Sequence, residues 1–376
     1  MIPFNKPYYT GKEVDYVRQA FERQHTAGNG YFTKLCQNFF EERYQFAKCL
    51  LTQSCTDALE MCALLARIQP GDEVILPSYT FVSTANAFAL RGAILRFADS
   101  EPGRPHIDAG HIERLITPRT RAIVVVHYGG TAVDLHSIAE LARRHDILLI
   151  EDAAQAVDSF YHGKPLGSIG DLAAFSFHET KNIISGEGGM LVINNPELLL
   201  RAEILWEKGT NRSAFFRGEV AKYQWMDIGS SFLPSEITAA TLWAQLQVLD
   251  DIQSRRVSIW RQYESLLREA SERHGFTLPL IQDGETVNGH LFYLICSSLE
   301  ERTELIKWLK ERQIHAVFHY QCLHSSPYHS MQGRHDDLDS ADRFSDCLLR
   351  LPFFYELGDS DIQMISKAVR DFYERV

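Results

Sequence analysis

The sequence predicts an α/β fold, with a large, mostly parallel seven-stranded sheet followed by a small C-terminal α+β domain. Seven short apolar segments alternate with stretches whose apolar residues recur at helical spacing. After Ser235 this alternation stops, and long amphipathic helical patterns lead into a strand, a helix and another strand. Strand and helix alternation is typical of a parallel sheet that helices cover on both faces.

The seven strands of the large sheet are expected where β-branched and apolar residues cluster. They are "AKCLL" (47–51), "DEVILP" (72–77), "AILRFAD" (93–99), "RAIVVVHY" (121–128), "ILLIED" (147–152), "AAFSF" (173–177) and "MLVIN" (190–194). Between them, apolar residues at helical spacing predict helices, for example over 58–68 and 138–142.

The rest of the chain predicts the small domain. The stretch from Ser235 to "YESLL" reads as one or two amphipathic helices, and strands are expected at 290–296 and 315–320, with a helix at 301–313 between them. We therefore divide the chain into a large domain, 1–245, and a small domain, 246–376. No linker rich in Pro, Gly or Ser separates them, so the two domains should pack closely and form a cleft.

Composition and charge exclude several classes of protein. The chain has 376 residues, of which 45% are hydrophobic and 23% charged, as in a globular protein. A net charge of −11 argues against binding to nucleic acid or to an anionic membrane. Seven cysteines without a C-x-x-C pair argue against a disulfide framework and a zinc site, and no apolar stretch is long enough to span a membrane. With no signal-like segment at the N-terminus, we expect a cytoplasmic protein.

A first polar motif follows the strand at 47–51. Ser54, Cys55 and Thr56 stand at the turn into a helix, where free backbone N–H groups and the helix dipole attract a phosphate. The alternative is a Ser or Thr that only caps the helix.

A second motif, "EDAAQA", follows the apolar strand at 147–152. Asp152 is expected to be buried there, and a buried carboxylate needs a cationic partner. It either caps the next helix or pairs with a protonated heterocyclic nitrogen.

A third motif, "FSFHETKNIISGEGG", follows the strand at 173–177. Its polar residues place Lys181 in a loop, and the glycines beyond it permit close backbone approach. Lys181 is either a surface charge or an amine that forms a Schiff base after burial or a nearby cation has lowered its pKa. A phosphate turn, an acid for a pyridinium nitrogen and an amine for an aldehyde together predict a pyridoxal 5'-phosphate site.

These motifs, in this order, resemble the DegT/DnrJ/EryC1/StrS family of sugar aminotransferases, and the resemblance covers essentially the whole chain. The segments that carry it include "SCTDALEM", "PSYTFVSTANAF", "EDAAQA", "FSFHETKN", "GEGGMLVIN", "HLFY" and "LLRLP". The resemblance implies the aspartate-aminotransferase-like fold, called fold type I, and pyridoxal phosphate as cofactor. It further implies a homodimer whose active sites lie between the subunits.

The resemblance also implies a role for each matching residue. Lys181 would hold the cofactor as the internal aldimine, Asp152 would keep the pyridine nitrogen protonated, and Gln155 would lie near the ring hydroxyl. Phe81 would stack on the ring, or else be a core aromatic beside Tyr79. The phosphate would be bound by Ser54, Cys55, Thr56 and Ser176. Ser231 stands where many relatives have an asparagine that reaches the cofactor of the partner subunit, and this departure leaves that contact open.

The implied reaction is the transfer of an amino group from L-glutamate, which becomes 2-oxoglutarate, to a nucleotide-linked 4-keto-6-deoxy sugar, with dTDP as the expected nucleotide. Amination at C3 and a UDP-linked sugar remain alternatives. A sugar-nucleotide-binding sensor is the non-enzymatic alternative, but it would have no use for Lys181. A related dehydratase would carry histidine in place of that lysine.

Substrate-binding residues are harder to predict. Lys208, Arg212 and Arg217 would suit a diphosphate, although a solvated basic face is an equal alternative. Candidates for the sugar pocket are His25, His319, Tyr320 and His324. We expect no metal site, because no third ligand at a suitable spacing accompanies His319 and His324.

Overall fold

The computed structural model of the protein describes residues 1–331 and 337–375. Its strands within these ranges are β1 (Cys49–Thr52), β2 (Glu73–Pro77), β3 (Ile94–Ala98), β4 (Thr120–Val126), β5 (Leu148–Asp152), β6 (Phe160–Tyr161), β7 (Lys164–Pro165), β8 (Leu172–Ser176), β9 (Gly189–Ile193), β10 (Tyr293–Ile295), β11 (Val317–Phe318) and β12 (Leu348–Arg350).

The helices alternate with these strands in the first half of the chain and dominate the second half. They are α1 (Glu13–Glu22), α2 (Tyr31–Tyr44), α3 (Cys55–Leu65), α4 (Val82–Ala89), α5 (Ala109–Leu115), α6 (Leu135–His145), α7 (Leu199–Trp206), α8 (Arg212–Phe216), α9 (Glu236–Leu246), α10 (Leu249–His274), α11 (Leu299–Glu311), α12 (Pro327–Ser330), α13 (Asp339–Cys347) and α14 (Asp359–Glu374). No helix in the described ranges is both long and apolar enough to cross a membrane.

The large sheet has seven strands in the order β1-β9-β8-β5-β4-β2-β3. The pairs among β2, β3, β4, β5 and β8 are parallel, whereas β9 runs antiparallel to both β8 and β1. The carboxyl ends of six strands therefore meet at one edge of the sheet, together with the start of β9. All seven strands lie where the sequence predicts them, to within a few residues.

Two apolar cores cover the faces of this sheet. One includes residues of α2, α6 and α9, and the other includes residues of α3, α4 and α7. Strands β1, β2, β8 and β9 are buried at every position, because helices cover both of their faces. A buried strand cannot alternate apolar and polar residues, which explains the continuous apolar runs in the sequence.

A third core belongs to the small domain, where α10, α11 and α14 pack on a three-stranded antiparallel sheet in the order β10-β12-β11. The sequence predicts β10, β11 and α11 but not β12. The stretch predicted as one or two helices forms two, α9 and α10. The N-terminal segment also joins this part of the molecule, since Ile2 bridges Ile314 and Phe353 N–H donates to the Phe4 carbonyl. The boundary at 245/246 stays a prediction.

Candidate active site

A cavity of about 780 Å³ opens at the carboxyl edge of the large sheet and is closed on the other side by the small domain. Ligands bind at this edge in open α/β sheets. Ten residues singled out in the sequence line it, namely Ser54, Cys55, Thr56, Phe81, Asp152, Gln155, Ser176, Lys181, His319 and Tyr320.

One corner of the cavity is the N-terminus of α3. The Ser54 hydroxyl accepts a hydrogen bond from the Asp57 N–H at 3.1 Å, so it caps the helix and faces the cavity at once. The Thr56 hydroxyl lies 2.8 Å from that of Ser83. The first N–H groups of a helix have no acceptor within the helix, and they favour an anion. This corner therefore suits a phosphate.

Asp152 ends β5 and is 5% exposed. Its Oδ2 accepts a hydrogen bond from the Thr84 hydroxyl at 2.7 Å, and its Oδ1 accepts one from the Ala154 N–H at 3.2 Å. Burial raises the pKa of the Asp152 carboxyl, although these hydrogen bonds and Lys181 oppose the increase. A buried carboxylate oriented in this way favours a cation such as a pyridinium.

Lys181 lies in the loop between β8 and β9, and its side chain faces the same cavity. Burial lowers the pKa of the Lys181 ammonium, and the Arg350 guanidinium lowers it further, while Cys55 and Asp152 act in the opposite direction. A lowered pKa increases the fraction of neutral amine, which is the nucleophilic form.

The residue after Lys181 anchors this loop to the small domain. The Asn182 side-chain amide donates to Gln253 Oε1 at 3.0 Å and to the Asn288 carbonyl at 2.9 Å, and Asn182 Oδ1 lies 3.0 Å from His290 Nδ1. These bonds restrict the positions that Lys181 can take.

Gln155 and Tyr320 form the wall of the cavity between the two domains. Gln155 Oε1 accepts from the Gly129 N–H at 2.7 Å, and its amide donates to the Tyr320 hydroxyl at 3.2 Å. The backbone of Tyr320 has a φ of 45°, a strained conformation for a residue other than glycine. The Phe81 ring lies 6.3 Å from that of Tyr320 and is 55% exposed. An exposed ring at the cavity wall is available for stacking.

Thr84, His290 and Arg350 are among the residues of the site that the sequence analysis did not predict. Arg350 ends β12 and faces the cavity, its guanidinium lies 4.6 Å from the Phe4 ring, and its buried Nε has no hydrogen-bond partner among the described residues. An arginine within the apolar run "LLRLP" was the available signal. Thr84 and His290 have no comparable signal, because only their contacts distinguish them from other polar residues.

Other predicted residues do not line this cavity. His25 and Arg212 are exposed, and Arg212 stacks on Phe216 at 5.1 Å. Arg217 pairs with Glu203 and Glu219. Ser231 is exposed, and its carbonyl accepts a hydrogen bond from the side chain of Gln53, next to the phosphate corner. Residues outside the cavity of their own chain can contribute to a site only at a subunit interface.

His319 and His324 point to different surroundings. His319 Nδ1 lies 2.7 Å from the Tyr128 hydroxyl, beside the cavity, whereas His324 Nδ1 lies 2.7 Å from the Ser78 hydroxyl.

Comparison with known proteins identifies the family of this chain. Residues 7–370 match the sequence pattern of the DegT/DnrJ/EryC1/StrS aminotransferase family. The chain belongs to this family. It is 32% identical to dTDP-4-dehydro-2,3,6-trideoxy-D-glucose 4-aminotransferase of Saccharopolyspora spinosa, over 97% of this chain and 95% of that protein. It is also 32% identical to GDP-perosamine synthase of Caulobacter vibrioides, over 96% of each chain.

Solved structures agree with this assignment. The PMP form of Spr1654 from Streptococcus pneumoniae superposes with a TM-score of 0.92 at 25% identity, over 100% of both chains. The expected fold class is confirmed, and the chain is a pyridoxal-phosphate-dependent sugar aminotransferase. When bound, pyridoxal phosphate accepts the amino group and withdraws electrons from the carbon that bears it.

The described residues fit this cofactor. The N-terminus of α3 offers a phosphate site, Asp152 faces the cavity as an oriented buried carboxylate, and Lys181 is a partly buried amine with a lowered pKa.

Proposed function

We propose that this aminotransferase transfers the amino group of L-glutamate to C4 of dTDP-4-dehydro-6-deoxy-D-glucose, which yields dTDP-4-amino-4,6-dideoxy-D-galactose. The reaction type is inferred from one observation: Lys181, Asp152 and the N-terminus of α3 lie in one cavity. The substrate rests on the segments "SFHETKN", "EKGTNRSAFFRG" and "DIGSSFL", which resemble transaminases of enterobacterial common antigen synthesis. The name of the relative from S. spinosa, a dTDP-sugar 4-aminotransferase, supports the nucleotide and the position.

In this proposal some residues transfer protons and others orient the reacting groups. The Lys181 amine takes the proton from the α-carbon of the donor in the first half-reaction and supplies a proton to C4 of the sugar in the second. Asp152 holds the proton on the ring nitrogen in both halves, because Thr84 and Ala154 fix its carboxylate. Asn182 and His290 keep the lysine loop in place.

Arg350 supports a dicarboxylate donor. Its guanidinium faces the cavity, and no carboxylate pairs with it within the described residues. Phenol groups of Tyr79, Tyr128 and Tyr320 surround it, and burial lowers its pKa. A partly buried guanidinium without an ion pair is stabilised by an incoming carboxylate, which it can bind with two parallel hydrogen bonds. We propose that Arg350 binds a carboxylate of glutamate.

The substrate proposal is tested with cofactor-loaded protein, L-glutamate and a set of keto sugars linked to dTDP, UDP or GDP. We expect turnover of dTDP-4-dehydro-6-deoxy-D-glucose and a product whose amine lies at C4 in the galacto configuration, as read by mass spectrometry and NMR. Amination at C3, or a clear preference for a UDP or GDP sugar, would refute this substrate while leaving the aminotransferase assignment in place. Lys181→Ala is the inactive control.

The donor proposal is tested by separate half-reactions. With Arg350→Gln, the rate constant for L-glutamate should fall by roughly 100-fold or more, because a charged bidentate contact is lost. The reverse half-reaction with the amino sugar should keep its rate, and Arg350→Lys should recover part of the loss. An equal loss in both half-reactions would mean that Arg350 serves the fold or the cofactor rather than the donor.

We also propose that the protein is a homodimer. Phe216, Tyr223, Trp225 and Met226 are each more than half exposed. Phe216 ends α8, and the other three follow in the segment before α9. Apolar groups this exposed mark an interface. Arg212 and Ser231 flank them, and in a dimer they would act toward the cavity of the partner subunit.

A further inference from the structure

We infer that Cys322, His324 and Asp342 form a binding site for Zn²⁺, or for another transition metal of similar size, at the border between the two domains. Their ligand atoms, one sulfur, one imidazole nitrogen and one carboxylate oxygen, all lie within 4.8 Å of one another. Cysteine and aspartate lie 20 residues apart in the sequence, which is why spacing alone predicted no metal.

The distances suit a tetrahedral ion. His324 Nε2 lies 3.4 Å from Asp342 Oδ2, which is long for a hydrogen bond. Zinc with bonds of 2.0 to 2.2 Å to nitrogen and oxygen separates those two ligands by roughly 3.3 Å, and it separates nitrogen from a thiolate by roughly 3.6 Å. The imidazole and the carboxylate already have the required separation, and the Cys322 sulfur lies within 4.8 Å of both.

The orientation of the histidine favours coordination. The Ser78 hydroxyl lies 2.7 Å from His324 Nδ1 and accepts a hydrogen bond from the His324 backbone N–H at 3.1 Å. The nitrogen that faces Cys322 and Asp342 is therefore Nε2. A metal-bound histidine usually bonds through its other nitrogen to a nearby polar group, which sets the ring position. Ser78 is fully buried and takes this part.

The mixture of ligands selects the metal. One thiolate, one imidazole and one carboxylate suit zinc, while magnesium and calcium prefer sites built from oxygen atoms. Cys322 and His324 are buried, but the Asp342 side chain is 50% exposed, so an ion can enter and keep a water as its fourth ligand. Burial raises the pKa of the Cys322 thiol to about 12, so binding must displace its proton, as zinc does at other thiols.

The site would connect three parts of the wall around the catalytic cavity. Ser78 directly follows β2 and precedes Phe81, Asp342 lies in the first turn of α13, and Cys322 follows Tyr320 by two residues. The Leu323 N–H already donates to the Ser78 carbonyl at 3.0 Å. A bound metal would hold the Tyr320 segment against the end of β2 and stabilise the closed arrangement of the cavity wall. This inference does not depend on the identity of the sugar substrate.

The experiment uses the cofactor-loaded enzyme and Co²⁺ or Zn²⁺. We expect one metal per chain by elemental analysis, a thiolate-to-cobalt absorption band with Co²⁺, and a thermal unfolding midpoint several degrees higher with Zn²⁺. Cys322→Ser should abolish the band, and Asp342→Asn should weaken Zn²⁺ binding at least tenfold.

Two variants from α13 serve as matched controls. Cys347→Ser removes another buried thiol, and Asp339→Asn removes another first-turn carboxylate, and neither should change metal binding. Asp342 is half exposed, so its variant should fold even if Cys322→Ser does not. The inference is overturned if no metal binds at a ratio near one, if Co²⁺ binds without the thiolate band, or if Asp342→Asn binds Zn²⁺ as the unchanged protein does.

Discussion

At the scale of single residues, the active site depends on groups whose burial makes them reactive. Asp152 is buried and Lys181 is partly buried against one cavity, and loss of solvent moves their pKa values in opposite directions, upward for the acid and downward for the amine. Asp152 therefore favours a neighbouring cation, and the Lys181 amine can react with an aldehyde. Pyridoxal phosphate would provide both, as a pyridinium and an aldehyde. Their neighbours Thr84 and Asn182 fix where each group lies.

The first prediction concerns the charge of Asp152. Asp152→Asn keeps the size of the side chain: its amide oxygen can accept from the Ala154 N–H, and its NH2 can donate to the Thr84 hydroxyl. The neutral amide cannot hold a proton on the ring nitrogen. We expect the kcat to fall by roughly 100-fold or more, with the thermal unfolding midpoint nearly unchanged. Steady-state kinetics and thermal unfolding measure the two effects. A kcat close to that of the unchanged enzyme would exclude this role for Asp152.

At the scale of elements, the site forms where the ends of strands lie close to the starts of helices, and this requires close contact between their backbones. Gly189, the first residue of β9, faces the N-terminus of α3. A Cβ at this position would lie 2.3 Å from the Ser54 carbonyl carbon and 2.4 Å from the Cys55 nitrogen. Neither backbone atom can yield without moving the helix, so glycine is required there for the phosphate corner to form.

The second prediction follows from this contact. Gly189→Ala should displace the start of α3 and raise the Kd for pyridoxal phosphate by roughly tenfold or more. Titration of the cofactor-free protein, followed by absorbance, measures the change. Gly103→Ala is the control, because a Cβ there meets no atom within 4 Å. Equal affinities for the two variants would show that the helix position does not depend on this contact.

Glu151 is the buried acid that holds β5 to the loop before β8. Its carboxylate accepts hydrogen bonds from the N–H groups of Gly167, Ile169 and Gly170 and lies 2.9 Å from His127 Nε2. Burial alone would raise the pKa of the Glu151 carboxyl, but these hydrogen bonds outweigh it and hold the pKa below its usual value.

The third prediction is a dependence of stability on pH. Glu151→Gln should lower the free energy of unfolding by about 3 kcal/mol near neutral pH, because an amide cannot accept all these bonds. Because the pKa is lowered on folding, the carboxylate stabilises the fold fully above about pH 4.3 and loses this effect as the pH falls through the folded pKa. Urea unfolding at neutral and acidic pH should show the difference shrinking in acid. The exposed Glu113→Gln is the control, and a difference that does not vary with pH would contradict the assignment.

At the scale of the whole molecule, the cavity lies between the large sheet and the C-terminal part of the chain, and the proposed homodimer would add residues from a second chain. Arg350, His319 and Tyr320 come from the small domain and face Lys181 and Asp152 of the large domain. In that proposal, the exposed apolar segment between α8 and α9 is the surface that contacts the second chain.

The fourth prediction tests that surface. Trp225 is 81% exposed, and Trp225→Glu should convert the proposed dimer to a monomer, because burying a charge in an apolar interface is unfavourable. Light scattering should then give a mass near 43.0 kDa rather than twice that value. Met364→Glu, at an exposed apolar residue of α14, should leave the mass unchanged. A dimer that persists in Trp225→Glu would place the interface elsewhere.

The sequence by itself determined the seven strands of the large sheet and the three motifs at their ends, because each is a local pattern. An apolar run of a few residues is enough to predict a buried strand. A serine, an acid or a lysine soon after that run can be recognised without knowing which distant residues it contacts. The family resemblance added the fold type and the cofactor, which the comparisons confirm.

Only the tertiary structure decided which distant residues meet. The strand order places Thr84 against Asp152, 68 residues away, and the packing of β12 brings Arg350 to the cofactor cavity. Cys322, His324 and Asp342 come together in the same way. These contacts arise from burial of whole elements, and burial energy depends on apolar area rather than on spacing along the chain. No short pattern in the sequence records them.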